Sequence, residues 1–166
     1  MIARLLVPQP LTAAAFEPFG DVIESAQEFS VINRGTTHQF ADLAKVEVTE
    51  AGGRSRVSLY CVVPYELPLP LRMLERHPLG SQLFMPLHGE RFLVVVAPRG
   101  DKIDPGAVKA FVTSGRQGVN YRPGTWHHPV IALGDLSEFL VLDRAGPGEN
   151  CDEFPLDPDA LLLAAP

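Results

Sequence analysis

Four side chains have the types and spacing for proton transfer or metal binding. Glu75 and His77 stand two apart in "LERHPLGSQL", Gln82 follows five residues later, and His127 is the first histidine of "RPGTWHH". In an extended chain alternate residues share a face, so Glu75 and His77 point the same way and Arg76 points the other. The same rule separates His127 from its neighbour His128. His127 is assigned to the site, and His128 to barrel packing or a subunit contact. An imidazole beside a carboxylate suits general acid–base work, because burial and pairing bring both pKa values towards neutrality. The same set (two imidazoles, one carboxylate and the weak amide ligand of Gln82) also suits a divalent metal without selecting one. Gln82 carries both a donor and an acceptor, which matches another amide.

A small anionic ligand would need a cation. Arg76 and Arg72 lie next to the first motif, and Arg91 and Arg144 are alternatives; spacing alone does not choose among them. Asn33, in "INRG", reads as a loop residue that closes over the site.

These residues sit in a chain of 166 with 46 % apolar and 20 % charged residues, which is enough for one sizeable core and a single domain spanning 1–166. The net charge of −6, without a basic block, speaks against nucleic acid and anionic membranes as partners. Cys61 and Cys151 form no CxxC pair and no disulfide framework. Pro8 and Pro10 break the N-terminal apolar stretch too early for a signal peptide, and no run reaches membrane-spanning length. The chain therefore reads as soluble and cytoplasmic.

Sixteen prolines and fourteen glycines between short apolar runs favour many short strands. "PLTAAAFEPFG" predicts a short helix with Thr12 as N-cap and Gly20 as its stop. Strands are predicted at 44–50, 52–63, 71–77, 81–87, 91–98, 118–121, 127–134 and 137–144, with one helical turn leading into another strand across 104–115. A last helical turn is expected to start at Asp157 or Asp159, its apolar tail covering an open barrel end or a second subunit. Closure removes vulnerable sheet edges, so a closed all-β barrel or sandwich with a few short helices is expected.

The two motifs resemble those of the cupin superfamily, with Glu75 and His77 in place of its paired histidines, Gln82 in place of its glutamate, then Gly89, and His127 in the second motif. A closer resemblance runs through "AFEPFGDVIE", "INRG", "DLAKVEV", "LERHPLGSQLFMPL", "AFVTSGRQGVNYRPGTWHHP", "FLVLDR" and "ENCDE". Over nearly its whole length the chain is similar to the ureidoglycolate lyase family. That resemblance implies a cupin-like double-stranded β-helix, a homodimer, and cleavage of (S)-ureidoglycolate to glyoxylate and urea in allantoin breakdown. It also implies nickel as the divalent metal, if one is held by His77, Glu75, Gln82 and His127.

The chemistry asks for a base at the hydroxyl, an acid at the departing nitrogen and a cation for the carboxylate. His77, Glu75 and His127 are the catalytic candidates, and Gln82, Asn33, Arg76 and Arg144 the substrate-binding ones. Rival functions are an amidohydrolase that releases ammonia, a non-catalytic cupin binding a small acid, and another metal-dependent enzyme of the wider superfamily.

Overall fold

The computed structural model describes residues 3–25 and 28–166. Eight strands build the body: β1 Arg54–Val62, β2 Met73–Arg76, β3 Gln82–Pro86, β4 Phe92–Ala97, β5 Lys109–Val112, β6 Gly118–Tyr121, β7 Trp126–His127 and β8 Ser137–Ala145. They alternate between two sheets, except that β4 and β5 pair with each other in one of them. One sheet holds β2-β7-β4-β5 in that order, extended by Asp152–Pro155 and Gln9–Pro10, with Ile131–Ala132 also pairing β4. The other runs Gly20–Ile23, β6, β3, β8, β1. Crossing from sheet to sheet in this way makes a jelly roll, the double-stranded β-helix expected from the sequence.

The central strand β4 is buried at all six positions, which explains why "FLVVVA" shows no alternation. Phe92, Val94 and Val96 face the barrel interior with Phe84, Phe111, Val119, Phe139 and Val141. Leu93, Val95 and Ala97 face outwards into a second apolar cluster with Leu74, Trp126, Leu161 and Leu163. The segment Leu161–Leu163, parallel to Arg4–Leu6 and antiparallel to Leu69–Pro70, supplies part of that outer layer. The C-terminal tail thus ends in a strand on the outside of a sheet. Asp157 starts a single hydrogen-bonded turn before it, its side chain accepting from the Asp159 N–H and its carbonyl from the Ala160 N–H.

Three other local expectations are corrected. Residues 44–49 form no strand; their backbone is tied to the sheet edge by Asn120 and Ser81, which bond the Lys45 carbonyl and the Glu47 backbone. The expected strand at 127–134 is two short pieces, because Pro129 has no N–H to continue the ladder. The N-terminal helix spans only Ala13–Phe16, with the Thr12 hydroxyl accepting from the Ala15 N–H, and Gly20 begins a strand rather than stopping the helix. A side chain at Gly20 would run into the Asn120 carbonyl, so strand pairing there requires glycine. Among the described residues, no helix is long and apolar enough to cross a membrane.

Candidate active site

Strand register decides what meets what inside the barrel. In one sheet His127 pairs directly with Glu75 and with Val96, an interior residue. His77 follows β2 on the same face as Glu75. In the opposite sheet Arg56 pairs with Asp143, and Gln82 with Tyr121. Asp143 lies one residue beyond the Leu142–Leu83 pair, so Arg56, Asp143, Gln82 and Tyr121 form one row across four strands. A layer of polar side chains therefore crosses the barrel, with apolar residues beneath it.

The histidines converge on the carboxylate. His127 Nε2 lies 3.5 Å and His77 Nε2 3.9 Å from the same oxygen, Oε1 of Glu75. Each imidazole is oriented from behind: His77 Nδ1 bonds the Asn150 carbonyl at 2.7 Å, and His127 Nδ1 bonds the Thr125 carbonyl at 3.0 Å. A carbonyl can only accept, so both Nδ1 atoms carry a proton, and Nε2 of a neutral His77 offers a lone pair. The two Nε2 atoms and Gln82 Oε1 are buried without any hydrogen-bond partner among the described residues. Tyr121 stacks on the His127 ring at 4.2 Å and holds its plane.

The ionisation states follow from burial and these neighbours. Burial is the largest influence on His77, and with the nearby His127 it pushes the imidazole below its ordinary value despite Asn150 and Glu75. Burial alone would raise Glu75; the adjoining His127 and the nearby His77 and His128 imidazoles outweigh it and hold the carboxyl below its usual range. At neutral pH the site thus presents a neutral His77 and an ionised Glu75.

A cavity of about 810 Å³ opens over this layer, lined by Glu75, His77, Gln82, Arg56, Tyr60 and Asp143 among others. His127 is almost wholly buried and reaches the cavity through Glu75 rather than facing it directly. His128 is buried apart from the cluster, its Nδ1 on the Pro129 carbonyl and its ring edge-on to Tyr65.

The proposed cations fall elsewhere. Arg76 lies on the outer face, stacked on Trp126, paired with Asp152 at 2.8 Å and donating to the Gly100 carbonyl. Arg144 is buried and spends its guanidinium on the carbonyls of Glu50, Ala51 and Pro147. Arg72 is exposed outside the cavity, and Arg91 donates to the Thr113 carbonyl. Asn33 sits at the exposed tip of the hairpin Ser30–Ile32/Thr37–Gln39, bonded to Thr37, and does not line the cavity.

The arginine that does line it, Arg56, was missed, together with Asp143 and Tyr60. The signal was present: "RSRVSLYCV" places Arg56, Ser58 and Tyr60 on one face, as "FLVLD" does Phe139, Val141 and Asp143.

A family model described as ureidoglycolate lyase matches residues 3–162. The chain belongs to the ureidoglycolate lyase family. It is 52 % identical over 164 residues to the ureidoglycolate lyase of Pseudomonas aeruginosa strain LESB58, covering 98 % of this chain and 97 % of that one. It is 55 % identical over 161 residues to that of Burkholderia mallei strain NCTC 10229, covering 96 % and 94 %. Among solved structures, RmlC from Streptococcus suis in complex with dTDP-D-xylose is similar over 89 % of this chain and 74 % of its own, at 16 % identity and a TM-score of 0.47.

Proposed function

We propose that the chain cleaves (S)-ureidoglycolate to glyoxylate and urea. The observation that carries this reading is the polar layer itself: a neutral imidazole and a carboxylate on one wall, facing an unpartnered amide oxygen on the other, in a chain of this family. The substrate carries hydroxyl, carboxylate and ureido groups on one carbon. Elimination moves the hydroxyl proton to the departing nitrogen and consumes no water.

His77 Nε2 takes the hydroxyl proton as the C–O bond gains carbonyl character and the C–N bond breaks. Glu75, ionised beside it, stabilises the imidazolium, which then returns the proton to the ureido nitrogen. His127 acts through Glu75, fixing its charge and position. The free Oε1 of Gln82 accepts from a ureido N–H, while the amide nitrogen donates to the ureido carbonyl.

The donor set also fits a divalent metal. The Nε2 atoms of His77 and His127 and a Glu75 oxygen lie within 4.8 Å of one another, and both imidazoles are braced through Nδ1, as metal-bound histidines are. With Gln82 Oε1 as a fourth ligand, this set would hold an ion, nickel by family resemblance, that supplies Lewis acidity to the hydroxyl and carboxylate oxygens. One lone pair on His77 cannot serve both roles. Metal analysis followed by turnover after chelation separates them: loss restored by a divalent ion makes the imidazoles ligands, and unchanged turnover makes His77 the base.

The test of the reaction is product analysis on racemic ureidoglycolate against a no-enzyme control. Equal glyoxylate and urea without ammonia supports the lyase; ammonia supports the amidohydrolase instead, and no turnover by folded protein favours the binding module. The whole chain acts as one unit, works in the cytoplasm, where its two free, exposed cysteines stay reduced, and pairs as a homodimer.

A further inference from the structure

With the sequence-suggested arginines engaged elsewhere, the substrate carboxylate has no assigned holder. We infer that Arg56, positioned by Asp143, forms a carboxylate-binding subsite in the wall opposite Glu75 and His77. The inference rests on the lyase reading only for the identity of the carboxylate.

The geometry of the pair carries it. Asp143 is nearly buried, its side chain one-tenth exposed, whereas that of Arg56 is about half exposed. Arg56 donates through Nε to one carboxylate oxygen at 2.9 Å and through Nη2 to the other at 2.7 Å. A guanidinium has five N–H groups in a fixed fork, and this bidentate pairing uses two. Nη1 and the second hydrogen of Nη2 therefore remain on the side away from Asp143. Among the described residues, Arg56 is the only cation that lines the large cavity with Glu75, His77 and Gln82.

Asp143 has a distinct job. It fixes the plane of a long side chain that would otherwise sweep the cavity, so less ordering is left to the moment of binding.

The row also sets the orientation of the ligand. Arg56 and Gln82 lie on strands two apart, about 10 Å between backbones, with Asp143 between them. Both side chains line the same cavity, so a molecule with a carboxylate at one end and a ureido group at the other would reach from Arg56 to Gln82. The carbon between then meets His77 and Glu75 on the facing sheet. Three attachment points around one carbon admit one hand of the substrate.

The experiment compares wild type with R56K, R56Q and D143N, using two readouts: steady-state kinetics on each enantiomer of ureidoglycolate, and calorimetric binding of glyoxylate, which needs no turnover. R56Q is expected to raise KM between tenfold and a hundredfold, the worth of a charged hydrogen-bonding group. Its glyoxylate affinity falls by a similar factor, its enantiomer preference narrows, and kcat changes less than KM. R56K retains part of the binding. D143N raises KM through a loosened Arg56, leaving kcat nearly intact. If R56Q fails to fold because Asp143 is left bare, R56Q/D143N removes that charge and must show the same KM rise. Unchanged KM and glyoxylate binding in folded R56Q, or in that double variant, overturns the subsite and leaves the lyase reading standing. Wild type that binds glyoxylate but forms no glyoxylate and urea, with R56Q still losing that binding, overturns the lyase reading and leaves the subsite.

Discussion

Glu75 and His77 differ from ordinary strand polar residues in what lies behind them. His77 is braced by Asn150 and His127 by Thr125, so both Nε2 atoms are presented to one carboxylate oxygen rather than to solvent. Replacing Glu75 by Gln keeps the shape and removes the charge. E75Q is expected to lower kcat by about 10²–10⁴-fold, the range for loss of a positioned proton-transfer group, with the circular dichroism spectrum unchanged; near-normal kcat would remove Glu75 from the mechanism. His77 and His128 also give the fold a pH dependence. Burial lowers both below the ordinary 6.5. The unfolded chain then binds protons at a pH where the folded imidazoles do not. Their contribution to stability is whole above pH 6.5 and is lost as pH falls through the lowered folded values. The urea midpoint should drop from pH 7.5 to pH 5.5, and that drop should shrink in H128Q, provided this variant folds.

Arg144 shows how an element can claim a residue that sequence would lend to the substrate. It lies one residue before the end of β8, where "DR" reads as a charged strand terminus, yet its guanidinium closes the loops at 50–51 and 147 through four hydrogen bonds. Gly53 and Gly80 leave the room it needs: a Cβ at either position would collide with the Arg144 side chain. Removing the guanidinium strands the carbonyls of Ala51 and Pro147, each costing about 1–3 kcal/mol if it stays unsatisfied, while the Glu50 carbonyl keeps the Gly53 N–H. R144M should therefore lower unfolding stability by about 2 kcal/mol or more while leaving KM unchanged. A KM rise in stably folded R144M would instead return Arg144 to the site. The break at Pro129 works the same way, ending β7 just after His127 so that His128 turns to its own packing against Tyr65.

The two sheets are finished differently on their outer faces. The sheet containing β4 is covered by the terminal strands and buried on both sides. The other is not. Leu59, Leu140 and Met85 align across β1, β8 and β3, beside a second row of Val57, Leu142 and Leu83. Leu59 and Val57 are among the most exposed large apolar residues, at 63 % and 65 %. An antiparallel sheet with a solvated face alternates apolar and polar; here the outer face carries two apolar rows, as in a sheet that is covered. The five strands span roughly 500 Å² of flat sheet, which side-chain relief enlarges towards the 800 Å² or so that each partner buries in a stable pair. A second copy of the chain, offering the same face about a two-fold axis, is the occupant proposed. L59E should convert a dimer to a monomer in light-scattering chromatography; wild type that is already monomeric would sink the homodimer.

Periodicity and turn chemistry, both local, were enough to place most strands and the Thr12 cap, and to put Glu75 and His77 on one face with Arg76 turned away. They could not say which strands become neighbours, because pairing is fixed by contacts distant in sequence. Only the register of β7 on β2 brings His127 to Glu75, about fifty positions away. Only the row across β1, β8 and β3 sets Arg56 beside Asp143 and Gln82. An arginine reads the same in a sequence whether it faces a cavity, an aromatic ring or a set of carbonyls. Arg56, Arg76 and Arg144 took those three places because the free energy of burying or pairing a charge depends on the neighbours the fold supplies.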